Sequence, residues 1–198
     1  MASSLTREAR RALLGAALLL LSACSSRQPP SADRPAPPAP DLFGLPVMLL
    51  PVQSGRDVPE GLDDELAFWL TDRGPGVRWV LPEQIDAAVA RAPSLGIHPR
   101  SLAVSVFQYA EVRNIGDPLF GDLRRLGAMV EARYAILPVA AGYVTRAEGV
   151  RVEIAAAIID TMGGRVLWYG VVGGDTGDQP APSLVASAAQ ALARALFP

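Results

Sequence analysis

No lysine occurs among the 198 residues of this chain, and histidine and cysteine occur once each. All 18 basic residues are arginine, set against 20 acidic ones, for a formal charge of −2. That balance provides no polybasic stripe with which to hold nucleic acid. A single cysteine allows neither an internal disulfide nor a cysteine-rich zinc site. His98, in Gly96-Ile97-His98-Pro99, has no second histidine or cysteine with which to share a metal. The same scarcity rules out a Ser-His-Asp or Cys-His nucleophile except around His98, whose neighbours supply none. His98 therefore reads as a loop residue, with no metal and no cofactor expected. Absent too is any apolar run near the roughly 20 residues that a helix needs to span a bilayer. Arginine in place of lysine, beside abundant Ala, Gly and Pro, reads as the codon bias of a GC-rich genome and carries no functional weight.

What is present begins at the amino terminus. Arg7, Arg10 and Arg11 face one Glu8, and an apolar run from Ala12 to Leu21 follows. This is the anatomy of a bacterial export signal, with a hydrophobic stretch half the length of a membrane span. Directly after it stands Leu21-Ser22-Ala23-Cys24, which resembles the lipobox of bacterial lipoproteins. The resemblance implies that residues 1–23 are removed as a signal peptide and that the Cys24 thiol takes a diacylglycerol. It further implies acylation, as by palmitate, of the new amino terminus. Leu21, Ser22 and Ala23 then serve the peptidase, and three acyl chains exceed what stable anchoring requires. Ser25, where an Asp would retain a lipoprotein in the inner membrane, resembles the outer-membrane pattern. Residues 24–41 carry prolines at 29, 30, 35, 37, 38 and 40. Too poor in apolar side chains to fold, the segment reads as a tether, and Ser25 to Asp41 would reach roughly 50 Å if extended.

Residues 42–198 read as one globular α/β domain. Val47-Met48-Leu49-Leu50 is a short, unbroken apolar run, as in a strand buried on both faces. Leu62, Leu66, Trp69 and Leu70 fall at helical spacing behind Asp63, Asp64 and Glu65, and Gly74-Pro75-Gly76 closes that helix. A strand over 77–81 and a helix opened by Pro82-Glu83 come next. The span 102–112 reads as a further, weakly patterned helix, and Asp117-Pro118 as an N-cap with proline at the first helical position. Strands over 134–144, 150–159 and 166–172 form a meander, with Asp160, Gly163 and Gly164 as the structural turn between the last two. A helix from Pro182 buries Leu184, Val185, Ala188, Ala191, Leu192, Ala195 and Leu196. The expected fold is a single mixed sheet of about five strands with helices packed on it, in the order β-α-β-α-(α)-α-β-β-β-α.

Several of these segments resemble a known group. The strand Val47 to Pro51, the stretch from Leu126-Gly127-Ala128 to Ile136-Leu137, the run Ile159-Asp160-Thr161-Met162-Gly163-Gly164-Arg165-Val166-Leu167-Trp168 and the closing alanine-rich helix are similar to the amino-terminal domain of TolB. The same pattern recurs in the periplasmic core of the curli secretion lipoprotein CsgG and in LpoB, the lipoprotein activator of a penicillin-binding protein. The resemblance spans most of residues 42–198 and implies a non-catalytic envelope lipoprotein that works through contacts with an envelope protein partner. Departures accompany it. Pro138 interrupts a strand that the family continues and points to an edge or bulge. No barrel-forming stretches are evident, and the tether is shorter than that of LpoB-like proteins.

Other features read as structure. Asp63, Asp64 and Glu65 suit the helix dipole better than acid/base chemistry. Gly173-Gly174-Asp175-Thr176-Gly177 lacks the Lys-Ser/Thr ending of a phosphate loop and reads as a flexible loop. Trp168 is placed on a sheet face under a helix, and Arg124-Arg125 on a solvated helix face. The expected function is a lipid-anchored periplasmic interaction module on the outer membrane, assisting a cell-envelope machine. The alternatives are a small-ligand-binding or enzymatic envelope lipoprotein, and a component of a secretion or appendage assembly.

Overall fold

The computed structural model describes residues 31–33, 37–53, 58–108 and 112–198. Residues 1–23, read from sequence as a signal peptide with Leu21, Ser22 and Ala23, lie outside them, as do Cys24 and the stretch read as tether up to residue 30. The described elements are β1 (Pro46–Leu49), α1 (Leu62–Arg73), β2 (Arg78–Val80), α2 (Pro82–Ala90), 3₁₀ turns at Pro93–Leu95 and Val104–Gln108, α3 (Leu119–Met129), β3 (Tyr134–Arg146), β4 (Gly149–Asp160), β5 (Arg165–Gly173) and α4 (Pro182–Leu196). The strands form one mixed sheet in the order β2-β1-β3-β4-β5. β1 runs parallel to both β2 and β3, and β3, β4 and β5 make an antiparallel meander. This is the α/β architecture and element order that the sequence predicts.

Helices cover both faces of the sheet. Val47, Leu49, Ile136, Ile154 and Ile158 face α1 and α4, whereas Met48, Leu50, Ala135, Leu137 and Ile159 face α2 and α3. Two-sided burial accounts for the unbroken apolar run of β1, since a strand with one wet face would alternate. In α4, Ala188, Ala189, Leu192 and Ala193 are fully buried, while Ala191 and Ala195 are only half-buried. The buried stripe is wider than the sequence suggests because α4 packs against α1 as well as against the sheet.

Two local expectations are corrected. Residues 102–112 hold no α-helix among the described residues, only the 3₁₀ turn Val104–Gln108. The Leu102 N–H is taken by the side chain of Gln53 at 2.8 Å, which fixes the segment ahead of the turn. At α3, Pro118 is itself the N-cap residue, one position outside the helix, and the Asp117 carboxylate accepts from the Gly121 N–H at 3.0 Å.

Proline sets the register of the sheet. The Pro138 carbonyl accepts from the Gln53 N–H at 3.1 Å, on the β1 side, but Pro138 has no N–H with which to continue the parallel ladder. Pairing of β1 with β3 accordingly ends at Leu49 and Ile136. On the other side Pro138 pairs with Ala156 and Ala140 with Ala155, leaving Val139 as the extra residue of a bulge. This is the bulge that Pro138 predicts. It exchanges the two faces of β3 downstream, so that Ala140, Gly142 and Val144 point to the α2/α3 side.

Gln53, 3% exposed, is the polar residue that secures this junction. Its amide nitrogen donates to the carbonyls of Pro51 and Pro99 at 2.9 and 3.0 Å, and its amide oxygen accepts from Leu102. Gln53→Ala removes all three bonds and strands buried backbone groups, at a cost of roughly 2–4 kcal/mol. Chemical denaturation should read that loss as a lower midpoint with an unchanged slope.

Candidate functional site

A concave surface lies on the α2/α3 side of the sheet, beyond the bulge. It is a groove of about 440 Å³ whose floor includes Gly142 and Ala155 and whose walls include Val104, Phe107, Val144 and Tyr169. Small residues on the floor make the concavity, and the bulge puts them there. Phe107 and Tyr169 stack with ring centroids 5.4 Å apart and planes inclined by 15°. Burial pushes the Tyr169 phenol above its ordinary value. Beside the groove, the outer edge of β3 has no strand partner past Pro138 among the described residues.

One carboxylate reaches the groove, and it is already engaged. Glu153 Oε1 accepts from Arg146 at 2.7 Å and from Arg151 at 2.7 and 2.9 Å. Arg151 also pairs with Asp33 at 2.6 Å. The Arg151 hydrogen bond, then that from Ser31, holds the Asp33 carboxyl below the usual carboxylate range. Asp33 belongs to the stretch read from sequence as tether, and it is not the only docked residue there. The Pro37 carbonyl accepts from the indole N–H of Trp168 at 2.8 Å, and Trp168 is 2% exposed. Ala39 packs on the α1/α4 core, and Leu42 lies within it. Trp168 thus sits on a sheet face under α4, with its one polar atom given to the incoming chain.

The other singled-out residues are dispersed. Asp160 is buried at the end of β4, where its Oδ1 accepts from the Met162 N–H at 3.0 Å and its Oδ2 pairs with Arg133 at 3.3 Å. Burial alone would raise this carboxyl, but the Met162 N–H and then the Arg133 guanidinium outweigh it and hold the carboxyl below its ordinary value. In the same turn Gly164 adopts φ 67°, where a side chain would be strained, whereas a Cβ on Gly163 would meet nothing within 4 Å. Asp63 accepts from the Val52 N–H at 2.7 Å and pairs with Arg100. Glu65 accepts from the indole of Trp69 at 3.1 Å, and Asp64 is exposed. Asp63 and Glu65 serve separate partners, and the three carboxylates do not converge. His98 is exposed in its loop, Arg125 pairs with Asp122 on the surface of α3, and no group of three metal-binding side chains occurs among the described residues.

The glycine-rich stretch 173–177 departs from the flexible loop expected of it. The N–H and carbonyl of Val150 pair with those of Gly177 at 2.8 and 2.9 Å, and the Asp175 N–H donates to Ser187 at 2.9 Å. A Cβ on Gly174 would lie 2.6 Å from the Ala188 backbone nitrogen. Glycine here permits close approach to α4. Sequence reasoning missed Gln53, Arg151 and Glu153, because their roles depend on strand register; the proline at 138 was the one available signal.

No protein-family profile matches the chain, and no curated protein is similar to it. Among solved structures it is similar to the LpoB C-terminal domain from Salmonella enterica, at 13% identity and TM-score 0.45, over 69% of this chain and 86% of that one. A PelC dodecamer from Paraburkholderia phytofirmans matches at 17% identity and TM-score 0.40, over 81% and 92%. A lipoprotein from Neisseria meningitidis matches at 14% identity and TM-score 0.44, over 76% and 96%. At such scores these likenesses decide nothing about what the chain does.

The depressed Asp160 carboxyl makes a prediction about pH. Its stabilisation is present above the unfolded value of about 3.9 and is lost as pH falls through the lower folded value. Asp160→Asn keeps an acceptor for Met162 but loses the charge. Denaturation across the acid range should show a flatter acid limb for the variant, with a neutral-pH loss of about 1 kcal/mol.

Proposed function

We propose that the chain is a lipid-anchored interaction module of the bacterial cell envelope, held through Cys24 at the periplasmic face of the outer membrane, and that it works by contact with an envelope protein and catalyses no reaction itself. The observation that carries the interaction half is the groove. Among the described residues it is open and apolar, it adjoins a strand edge without a partner, and its one carboxylate is occupied by two arginines. Such a surface suits an extended segment that adds to the β3 edge and places alternate apolar side chains over Phe107 and Tyr169. General acid/base chemistry, by contrast, wants a titratable group free to move a proton, and Glu153 is held by three charged hydrogen bonds.

The anchor half rests on sequence: the signal anatomy, the box Leu21-Ser22-Ala23, and the placement of the single cysteine after it. No helix among the described residues is long and apolar enough to cross a membrane. Attachment in this reading comes from the acylated residue.

Cys24→Ser should shift the protein from the membrane to the soluble fraction. Retention of the variant on membranes through a high-salt wash would defeat the anchor. For the surface, a photo-crosslinking side chain at Val144 should capture a discrete protein in intact envelopes, and one at the exposed Asp64 should not. Equal capture at both positions, together with small-molecule turnover by the purified protein, would favour the enzymatic alternative.

A further inference from the structure

The anchor and the first strand do not meet the domain at the same end. Leu45 and Arg78 hydrogen-bond at the start of β1 and β2, and the Gly44 N–H donates to the Gly76 carbonyl. These residues mark one end of the sheet. β3 runs parallel to β1 and ends at Arg146, where a two-residue turn, Ala147-Glu148, leads into β4. The hairpin therefore marks the opposite end, roughly 40 Å away along a 13-residue strand. Asp33 is bound there: its partner Arg151 pairs in register with Val144 on β3, and the Arg151 side chain lies against Gly173 at the far end of β5. Pro37 is bound toward the other end, through Trp168, whose partner Ile158 pairs with Ile136 near the start of β3. The contacts of Asp33, Pro37 and Leu42 thus fall progressively from the hairpin end toward the start of β1.

The two clamps are unequal. The Asp33–Arg151 pair has one well-exposed partner, and water and salt screen such a pair. The Trp168 indole is buried, so its release from Pro37 would leave a donor orphaned away from water, the costlier of the two losses. Trp168 holds the strap, and Arg151 directs its exit.

We propose that this strap makes the β3–β4 hairpin end the surface that faces the lipid headgroups, with the end carrying Phe43, Pro75 and Phe197 turned away. The inference rests on the anchor proposed at Cys24. With the strap in place, nine residues separate Cys24 from Asp33, a reach of about 28 Å when extended; with the strap released, the reach to Leu42 is about 56 Å and the opposite end becomes the attached one. The groove lies toward the hairpin end, so a partner segment enters it on the membrane side of the domain.

The test uses the full lipidated chain on vesicles of phosphatidylethanolamine and phosphatidylglycerol that carry a headgroup nitroxide. With Cys24 acylated, a fluorophore can be attached at Glu148→Cys or at Pro75→Cys, both exposed positions. The hairpin label should be quenched about twofold or more strongly than the Pro75 label, given a free tether shorter than the domain. Trp168→Phe combined with Asp33→Ala should bring the two labels to parity. Trp168→Phe leaves no orphaned donor, and thermal unfolding of each variant checks that the fold persists. Equal quenching in the strapped protein, or stronger quenching at Pro75→Cys, overturns the orientation while leaving the anchor intact. Failure of the unlabelled chain to float with the vesicles overturns the anchor and this inference together.

Discussion

Pro138 stands in the one strand on which both halves of the sheet depend, and it cannot donate a backbone hydrogen bond. Below it, β3 is the inner strand that joins the parallel pair β1 and β2 to the antiparallel meander. Above it, the parallel ladder has stopped, and β3 continues with β4 alone. A proline inside a central strand would ordinarily be excluded. Here its cost is offset locally: the Pro138 carbonyl still finds the Gln53 N–H, and the Gln53 side chain ties down the connection that carries Pro99 and Leu102. The bulge at Val139 then returns β3 to register with β4, with its faces exchanged. An open edge, a floor of small residues and a projecting hairpin all follow from one missing donor.

Polar groups below the surface are few, and each is spoken for. Gln53, Asp160 and Thr161 are the buried polar residues among those described, and no buried side-chain nitrogen or oxygen there lacks a partner. The Thr161 hydroxyl donates to the Arg133 carbonyl at 2.8 Å, while Asp160 holds the Arg133 side chain. One turn thus locks the loop between α3 and β3 to the end of β4. Satisfied networks of this kind specify a single arrangement more than they add net stability, since each internal hydrogen bond replaces one to water and leaves about 1 kcal/mol. The stability of the domain comes instead from the two apolar layers, which bury β1 on both faces.

The sequence made the element order legible because strong local signals bracket each element: prolines at 51, 82 and 182, glycines at 74, 76, 163 and 164, and apolar runs whose period matches strand or helix. It made the bulge legible for the same reason, since a proline in a strand has few places to go. The groove was not legible. Its lining comes from β3, β4, β5 and the 3₁₀ turn, and which residues share a face depends on a slip of one position. Arg151 and Glu153, two apart on one strand, look like ordinary alternating surface charges until Arg146 reaches them across the hairpin and Asp33 from far earlier in the chain. The docking of Pro37 was hidden too, because proline-rich composition signals a segment with little to bury, and what is used here is a backbone carbonyl. The expected 102–112 helix gives way among the described residues to the 3₁₀ turn Val104–Gln108, where the apolar pattern is too weak to hold a full helical face.

Under the proposed function, the strap also bears on how a partner would be found. For a flexible tether long enough to span its target, effective concentration falls roughly as the −3/2 power of length. Doubling the free tether from nine to 18 residues would therefore dilute the domain about threefold at its membrane. That is a modest factor, worth less than 1 kcal/mol, and not by itself a reason to bury an indole N–H against a tether carbonyl. Orientation is the larger effect. In the proposed anchored protein a free tether would let every face of the domain sample the bilayer, whereas a strap clamped at Trp168 and Arg151 would present one end of the sheet and keep the groove on that side. For a surface that recognises an extended segment, being correctly turned removes a rotational search that added contacts in the groove would otherwise have to offset.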